Sequence, residues 1–262
     1  MINLLERRQQ ALAIADKCMQ VLKEDFGAEK VILFGSLRGD APWHEKSDLD
    51  LAVEGLSEQG FWDAYGALEK LMPDWLLFDL IPLAKTPDYL RDRILQKTPM
   101  PTNPYLALKV NLEQEMVAME ETTNTLNTLL EQAENIPYIA LIPAIAAYIV
   151  DFVTGCERIG ERVAVSLDGG LPKGDDWHQQ LLWQMTNREI KHRPVLWPKE
   201  LGQILDDYRK FRHVARHVYN TKLDPARVMV LAEAIASVEV QVQSALESFN
   251  QWLVQKAEET SD

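Results

Sequence analysis

The sequence predicts an α+β chain in two parts: a small mixed sheet with helices over residues 1–100, then an all-α bundle over residues 101–262. Three observations predict this division. Short apolar runs at Val31–Phe34, Leu49–Val53 and 75–83 are bounded by turn residues and read as strands among helical patterns. Residues 98–104, TPMPTNP, hold three prolines in seven positions, a stiff joint that marks the expected domain boundary. Beyond that joint the apolar residues recur at helical spacing, interrupted by glycine and proline.

In chain order, residues 2–26 read as a helix carrying Leu4, Leu5, Leu12, Ala15, Met19 and Leu22 at helical spacing, with Gly27 as a C-terminal stop. A first strand is expected over 31–35. A polar loop follows over 37–47, with Arg38, Trp43, His44 and Lys46 in it, and then a second strand over 48–54. Ser57 caps a helix over 58–72. The third apolar run, WLLFDLIPL, contains a single charge, Asp79, and a short helix is expected over Pro87–Lys97. In the second part, helices are expected over 104–135, up to about 166 with Pro143 near its start or at a kink, over 177–188, 199–219 and 225–257. Asp176 and Asp224 stand at cap positions, the latter followed by Pro225. The glycine-rich stretch 167–176 lacks the Lys-Ser/Thr ending of a phosphate loop and reads as a connection. Five helices with mostly short loops make an antiparallel bundle.

Composition narrows the functional classes. Hydrophobic residues at 47% of 262 are enough for real cores. There is no charge-free run of eighteen apolar residues, so no membrane span is expected. The charged N-terminal stretch lacks the apolar core of a signal peptide. Cys18 and Cys156 are the only cysteines, and both lie in helical patterns, as buried free thiols do. A cytoplasmic protein without disulfides or zinc spacing is the expectation. The net charge of −13 repels nucleic acid on average, so an RNA-related role needs a local basic patch.

Two constellations carry chemistry. In the first, Asp48 and Asp50 lie two apart in a strand and so share a face, with Leu49, Leu51 and Val53 on the other. Two close carboxylates repel unless a cation sits between them. Gly35 permits close backbone approach, and with Ser36 it offers N–H and O–H donors to an anion. Carboxylates for Mg²⁺ beside donors for phosphate make a nucleoside-triphosphate site, which Arg38 could also reach. An unpaired carboxylate inside the third strand is costly, so Asp79 needs solvent or a cationic partner.

This stretch resembles the polymerase-β-like nucleotidyltransferase superfamily, whose signature is an apolar residue, Gly-Ser and then Asp-x-Asp. Here it stands as FGS, eleven residues and DLD, with Arg38 and Gly39 after the Gly-Ser, most similar to the minimal nucleotidyltransferases. The resemblance covers about residues 1–100 and implies ATP as substrate and Mg²⁺ as cofactor. It also implies a third carboxylate beside the pair, at Asp79.

The second constellation ends the helix over 199–219, as RKFRHVARHVYN. Leu201, Ile204, Leu205, Tyr208, Phe211, Ala215 and Val218 form its apolar stripe. His213 and His217 are four apart on the roughly opposite face, with Arg209 and Arg216 beside them. A metal at the two histidines is disfavoured, because arginines crowd them and no carboxylate shares their face. Between 188 and 222 there are nine Lys/Arg and four Asp/Glu, a local excess of +5. Arg212, His217 and Tyr219 match R-x4-H-x-Y, the signature of HEPN (HepT-like) toxins, with His213 in the supporting position after the arginine. The resemblance covers about residues 104–257. It implies a metal-independent endoribonuclease acting at a cleft between two HEPN domains, hence RNA (transfer RNA among the candidates) and a second copy of the chain as partners. Arg212 would hold the scissile phosphate and His217 would transfer protons. Five residues turn an ideal helix by about 140°, so one straight helix does not easily aim both at one phosphate.

The two resemblances together imply a fused toxin–antitoxin-type protein. The nucleotidyltransferase would move AMP from ATP to the motif tyrosine, Tyr219, and so switch the ribonuclease off. Asp79 would act as base for the phenol, with Asp48 and Asp50 on Mg²⁺. Two other readings stay open at this level: an antibiotic (aminoglycoside-type) nucleotidyltransferase with a helical lid, and a helical half that only dimerises or binds.

Overall fold

The computed structural model describes residues 3–40, 42–45, 47–86, 88–96, 100–187, 192–217 and 222–260. The chain separates into two compact units, residues 1–101 and 102–262, and the junction lies in the proline-rich stretch.

Unit one is a three-stranded mixed sheet with helices on both faces. Helix α1, Leu4–Glu24, opens with a capping box between Asn3 and Glu6. Its buried row is Ala11, Ala15, Cys18 and Leu22. Leu4 and Leu5, expected in the stripe, are instead exposed, because small Ala and Cys side chains let the helix lie close on the sheet. Strand β1, Lys30–Phe34, pairs antiparallel with β2, Leu49–Glu54, which pairs parallel with β3, Phe78–Pro82. A parallel pair needs a crossover, and helix α3, Glu58–Glu69, capped by Ser57 Oγ, supplies it. The strand expected to reach Gly35 stops at Phe34. There the chain turns into the single helical turn α2, Gly35–Arg38, closed by Gly39 in the left-handed region. The short helix α4 spans Asp88–Ile94; Pro87 and Lys97, its expected ends, lie outside the described residues.

The period of two along β2 sorts its side chains. Leu49, Leu51 and Val53 join Ala11, Ala15, Ala64 and Leu68 in the larger core. Ala52 packs with Leu83 and Ile94 on the opposite face, the face to which Asp50 also belongs.

Unit two contains five α-helices among the described residues: α5 Pro104–Glu131, α6 Tyr138–Leu167, α7 Trp177–Thr186, α8 Lys199–His217 and α9 Pro225–Glu259. Helix α5 stops four residues short of the expected end, and a separate 3₁₀ turn occupies Ala133–Asn135. Helices α6 and α9 are long and apolar enough to cross a membrane by length and composition. In the fold α6 is the central helix, touching α5, α7, α8 and α9, with Ile145, Ile149, Phe152, Ile159 and Val163 fully buried. A helix that packs against four others needs a wide apolar face, while Asp151 and Arg158 on its remaining side stay exposed. Pro143 sits inside α6, in its second turn. Asp176 occupies the N-cap position of α7 without capping it; its side chain accepts from Gln180 instead. Asp224 caps α9 as its sequence context indicates.

Two buried polar staples hold the connections. Asp168 accepts from Arg193 Nε and NH2 at 2.7 and 2.6 Å, and also faces His192 and Gln184. Burial alone would raise the Asp168 pKa, but these hydrogen bonds carry it below its ordinary value. The glycine-rich stretch before α7 is therefore an anchored connection. On α5, buried Glu115 faces Arg158 and Arg162 of α6. Cys18 and Cys156 are free and buried, and burial pushes the Cys18 thiol up to about 11.

Candidate functional sites

The first site stands at the carboxyl end of β1, the start of β2 and the start of β3. The register sets Phe34 opposite Asp50 and Asp50 opposite Asp79. Asp48, Asp50 and Asp79 each place a carboxylate oxygen within 4.8 Å of the others. Among the described residues this is the one group of three side chains arranged to hold a metal ion. Asp50 is the inner member and Asp79 the exposed one. Burial, then the charges of Asp48 and Asp79, push the Asp50 pKa from 3.8 up to about 8. Arg93, a residue of α4 that no sequence motif marks, opposes that rise, and Asp40 adds to it. A bound cation would relieve the repulsion directly.

Beside the carboxylates, Gly35 has φ +71°, and a Cβ there would collide with Asp50 Oδ2. Ser36 Oγ is buried with no hydrogen-bond partner among the described residues. An orphaned hydroxyl next to three converging carboxylates fits a site for a phosphate and its metal. The other expected donors are engaged. Gly35 N–H donates to Asp40 Oδ2 at 2.9 Å, and Arg38 Nε donates to both Asp40 oxygens at 2.9 Å. Arg38 NH1 and NH2 donate to the carbonyls of Ile94 and Arg93. Arg38 thus clamps α4 to the turn rather than reaching out to a triphosphate, because Gly39 folds the Asp40 carboxylate back onto it. His44 lies in the loop; Lys46 is outside the described residues.

The second site is a groove of about 820 Å³ between the first turn of α7 and the last turns of α8. Arg212, His213 and His217 all line it, with Trp177 and His178 on the facing wall. The groove is broad enough to take in both motif residues despite the angle between them. His213 and His217 are exposed and stack with ring centroids 4.3 Å apart, while His217 Nδ1 meets the His213 carbonyl at 2.7 Å. Arg212 is largely buried, its NH2 3.1 Å from Glu157 Oε2 on α6, and its Nε has no hydrogen-bond partner among the described residues. Burial lowers the Arg212 pKa, with the charge of Glu157 opposing and that of Arg216 assisting. Glu157 carries no sequence signal, because its role depends on the packing of α6 against α8. The local basic excess is partly neutralised: Arg193 is buried on Asp168, and Arg209 and Lys210 pair with Asp206. Tyr219, the expected acceptor, lies outside the described residues.

Residues 144–253 match the family model described as HepT-like protein, so this stretch of the helical unit is similar to HepT-like proteins. The match contains Arg212, His213 and His217 and leaves unit one outside it. No curated protein and no solved structure matches the chain.

Proposed function

We propose that residues 102–262 form a ribonuclease of the HEPN type. Residues 1–101 would form a nucleotidyltransferase that controls it by moving AMP from ATP to Tyr219. The observation that carries the reading is the gathering of Arg212, His213 and His217 on one groove, within the span that matches the HepT-like model. A purely dimerising or binding bundle gives no reason for that gathering. Arg212, pre-set by Glu157, would hold the scissile phosphate, and His217 would transfer a proton at a ribose or leaving oxygen. RNA is the partner this groove suits, and a two-fold pair of chains would bring two such grooves together.

The carboxylate cluster supports the transferase half. Asp48, Asp50 and Asp79 would hold Mg²⁺, whose charge neutralises the triphosphate and the departing pyrophosphate. Ser36 Oγ would donate to a phosphate oxygen, and Gly35 keeps the approach open. Asp79, the exposed carboxylate, would take the proton of the attacking phenol. The phosphorus–oxygen bond to pyrophosphate breaks as the bond to Tyr219 forms, leaving a bulky anion next to Arg212 and His217 in sequence.

Intact-mass analysis with ATP and Mg²⁺ tests the transfer. One AMP should be added to the chain and none to Tyr219→Phe. Absence of any addition removes the transferase half; addition to an aminoglycoside instead moves the acceptor to a small molecule. In cells Tyr219→Phe should be more toxic than the wild type, and His217→Ala should abolish that toxicity. Toxicity that survives loss of His217 would remove the ribonuclease half.

A further inference from the structure

We propose that His178 is a second acid–base residue of the groove, working with His217 on an RNA phosphodiester; this rests on the ribonuclease reading above. His178 lies in the first turn of α7 and stacks on Trp177, with ring centroids 3.6 Å apart. Its Nδ1 is 3.1 Å from Glu157 Oε1, within ion-pair distance, and neither buried atom has a hydrogen-bond partner among the described residues. The second oxygen of the same carboxylate is 3.1 Å from Arg212 NH2. Glu157 is largely buried, its side chain 11% exposed, so a single carboxylate lies against both the arginine and the second imidazole.

A carboxylate only accepts, so one this close favours the proton of a neutral His178 on Nδ1 and leaves Nε2 as the atom for proton transfer. His217 is set the same way by a different acceptor, the His213 carbonyl at 2.7 Å from its Nδ1. The two imidazoles come from opposite walls, α7 and α8. In-line displacement at phosphorus puts the attacking 2′-oxygen and the departing 5′-oxygen on opposite sides. One histidine on one wall cannot serve both oxygens in one step; two histidines on two walls can. The charged and titratable groups around His178 are Glu157 from α6, Asp175 and Asp176 before α7, and Arg209, Lys210, Arg212, His213, Arg216 and His217 from α8.

The negative charge of Glu157 stabilises an imidazolium as it forms, which makes His178 the base and His217 the acid. His178 Nε2 takes the 2′-hydroxyl proton as the O2′–P bond forms. The P–O5′ bond breaks, and protonated His217 gives its Nε2 proton to O5′. The products are a 2′,3′-cyclic phosphate and a 5′-hydroxyl. Nothing is oxidised or reduced, and water is not consumed.

The test uses full-length chain carrying Asp50→Asn, shown by intact mass to be free of AMP, and a labelled single-stranded RNA pool of random sequence. The parent should cut with a bell-shaped pH profile. His178→Gln should cut at least ~100-fold more slowly and lose the rise on the acid side, while His217→Ala should lose the fall on the alkaline side. His178 is partly exposed at a helix start, so the melting temperature of the variant should match the parent's. A His178→Gln variant with the parent's rate, or a slower one with the parent's profile, overturns the proposal and leaves the ribonuclease reading standing. A parent that leaves the RNA intact removes both.

Discussion

Asp50→Asn should make unit one more stable while ending nucleotide transfer. The side chain is largely buried between Asp48 and Asp79, and its pKa rises from 3.8 to about 8. Below pH 3.8 the group is protonated in folded and unfolded chains alike and has no effect. Between 3.8 and about 8 the unfolded chain ionises while the folded one keeps its proton, so stability falls as pH rises. At pH 7 the difference of about three units, at 1.36 kcal/mol each, sets a ceiling of roughly 4 kcal/mol. The asparagine amide needs a partner and the other two carboxylates still repel, so a gain of about 1–2 kcal/mol is expected, a quarter to a half of that ceiling. That corresponds to a rise in melting temperature of roughly 4–16 °C for a domain of this size. The assay is thermal melting of both chains at pH 5 and pH 8, with and without Mg²⁺. The wild type should lose stability toward pH 8 and regain it with Mg²⁺; the variant should change little in either respect. A variant less stable than the wild type at pH 8 without Mg²⁺ would refute the argument that these carboxylates are held in mutual repulsion.

Gly35→Ala should abolish AMP transfer with Asp48, Asp50 and Asp79 intact, since its Cβ would displace the Asp50 carboxylate; an intact-mass time course checks this. Chelation by EDTA should stop AMP transfer and leave RNA cutting unchanged, as two assays on one preparation will show. Arg193→Met should cost unit two about 3–5 kcal/mol by stranding buried Asp168, measured by denaturant melting, and should leave transfer to a phenol intact. Light scattering at micromolar concentration should report a dimer, and a strict monomer would leave the groove without a two-fold partner.

Much of unit one was legible because strand periodicity is local. Alternation alone puts Asp48 and Asp50 on one face and Leu49, Leu51 and Val53 on the other, and the cores follow that division. The end of β1 was misplaced by one residue because Gly35 suits both a strand end and a left-handed turn, and only the carboxylate of Asp50 lying against it decides. The apolar stripe of α1 holds at Leu12, Ala15, Met19 and Leu22 but not at Leu4 and Leu5, which a sequence pattern counts heavily and the first turn leaves exposed. Arg38 shows the limit for polar groups. Its chemistry suits a phosphate, but a carboxylate two residues away and two carbonyls more than fifty residues on claim it first.

By itself the sequence determined the two-part division, the strand faces, the helix spans to within a few residues, and the place of Arg212, His213 and His217 in the last turns of one helix. Each of these depends on neighbours within a turn or two of chain, where residue type and spacing act directly. The tertiary structure alone decided that Asp79 closes a triangle with Asp48 and Asp50, that Arg193 is a buried staple rather than part of a basic surface, and that Glu157 joins Arg212 to His178. Those depend on strand register and on which helix faces pack together. Such contacts link residues tens of positions apart, and their energies arise only once burial has removed the water that would otherwise satisfy each group separately.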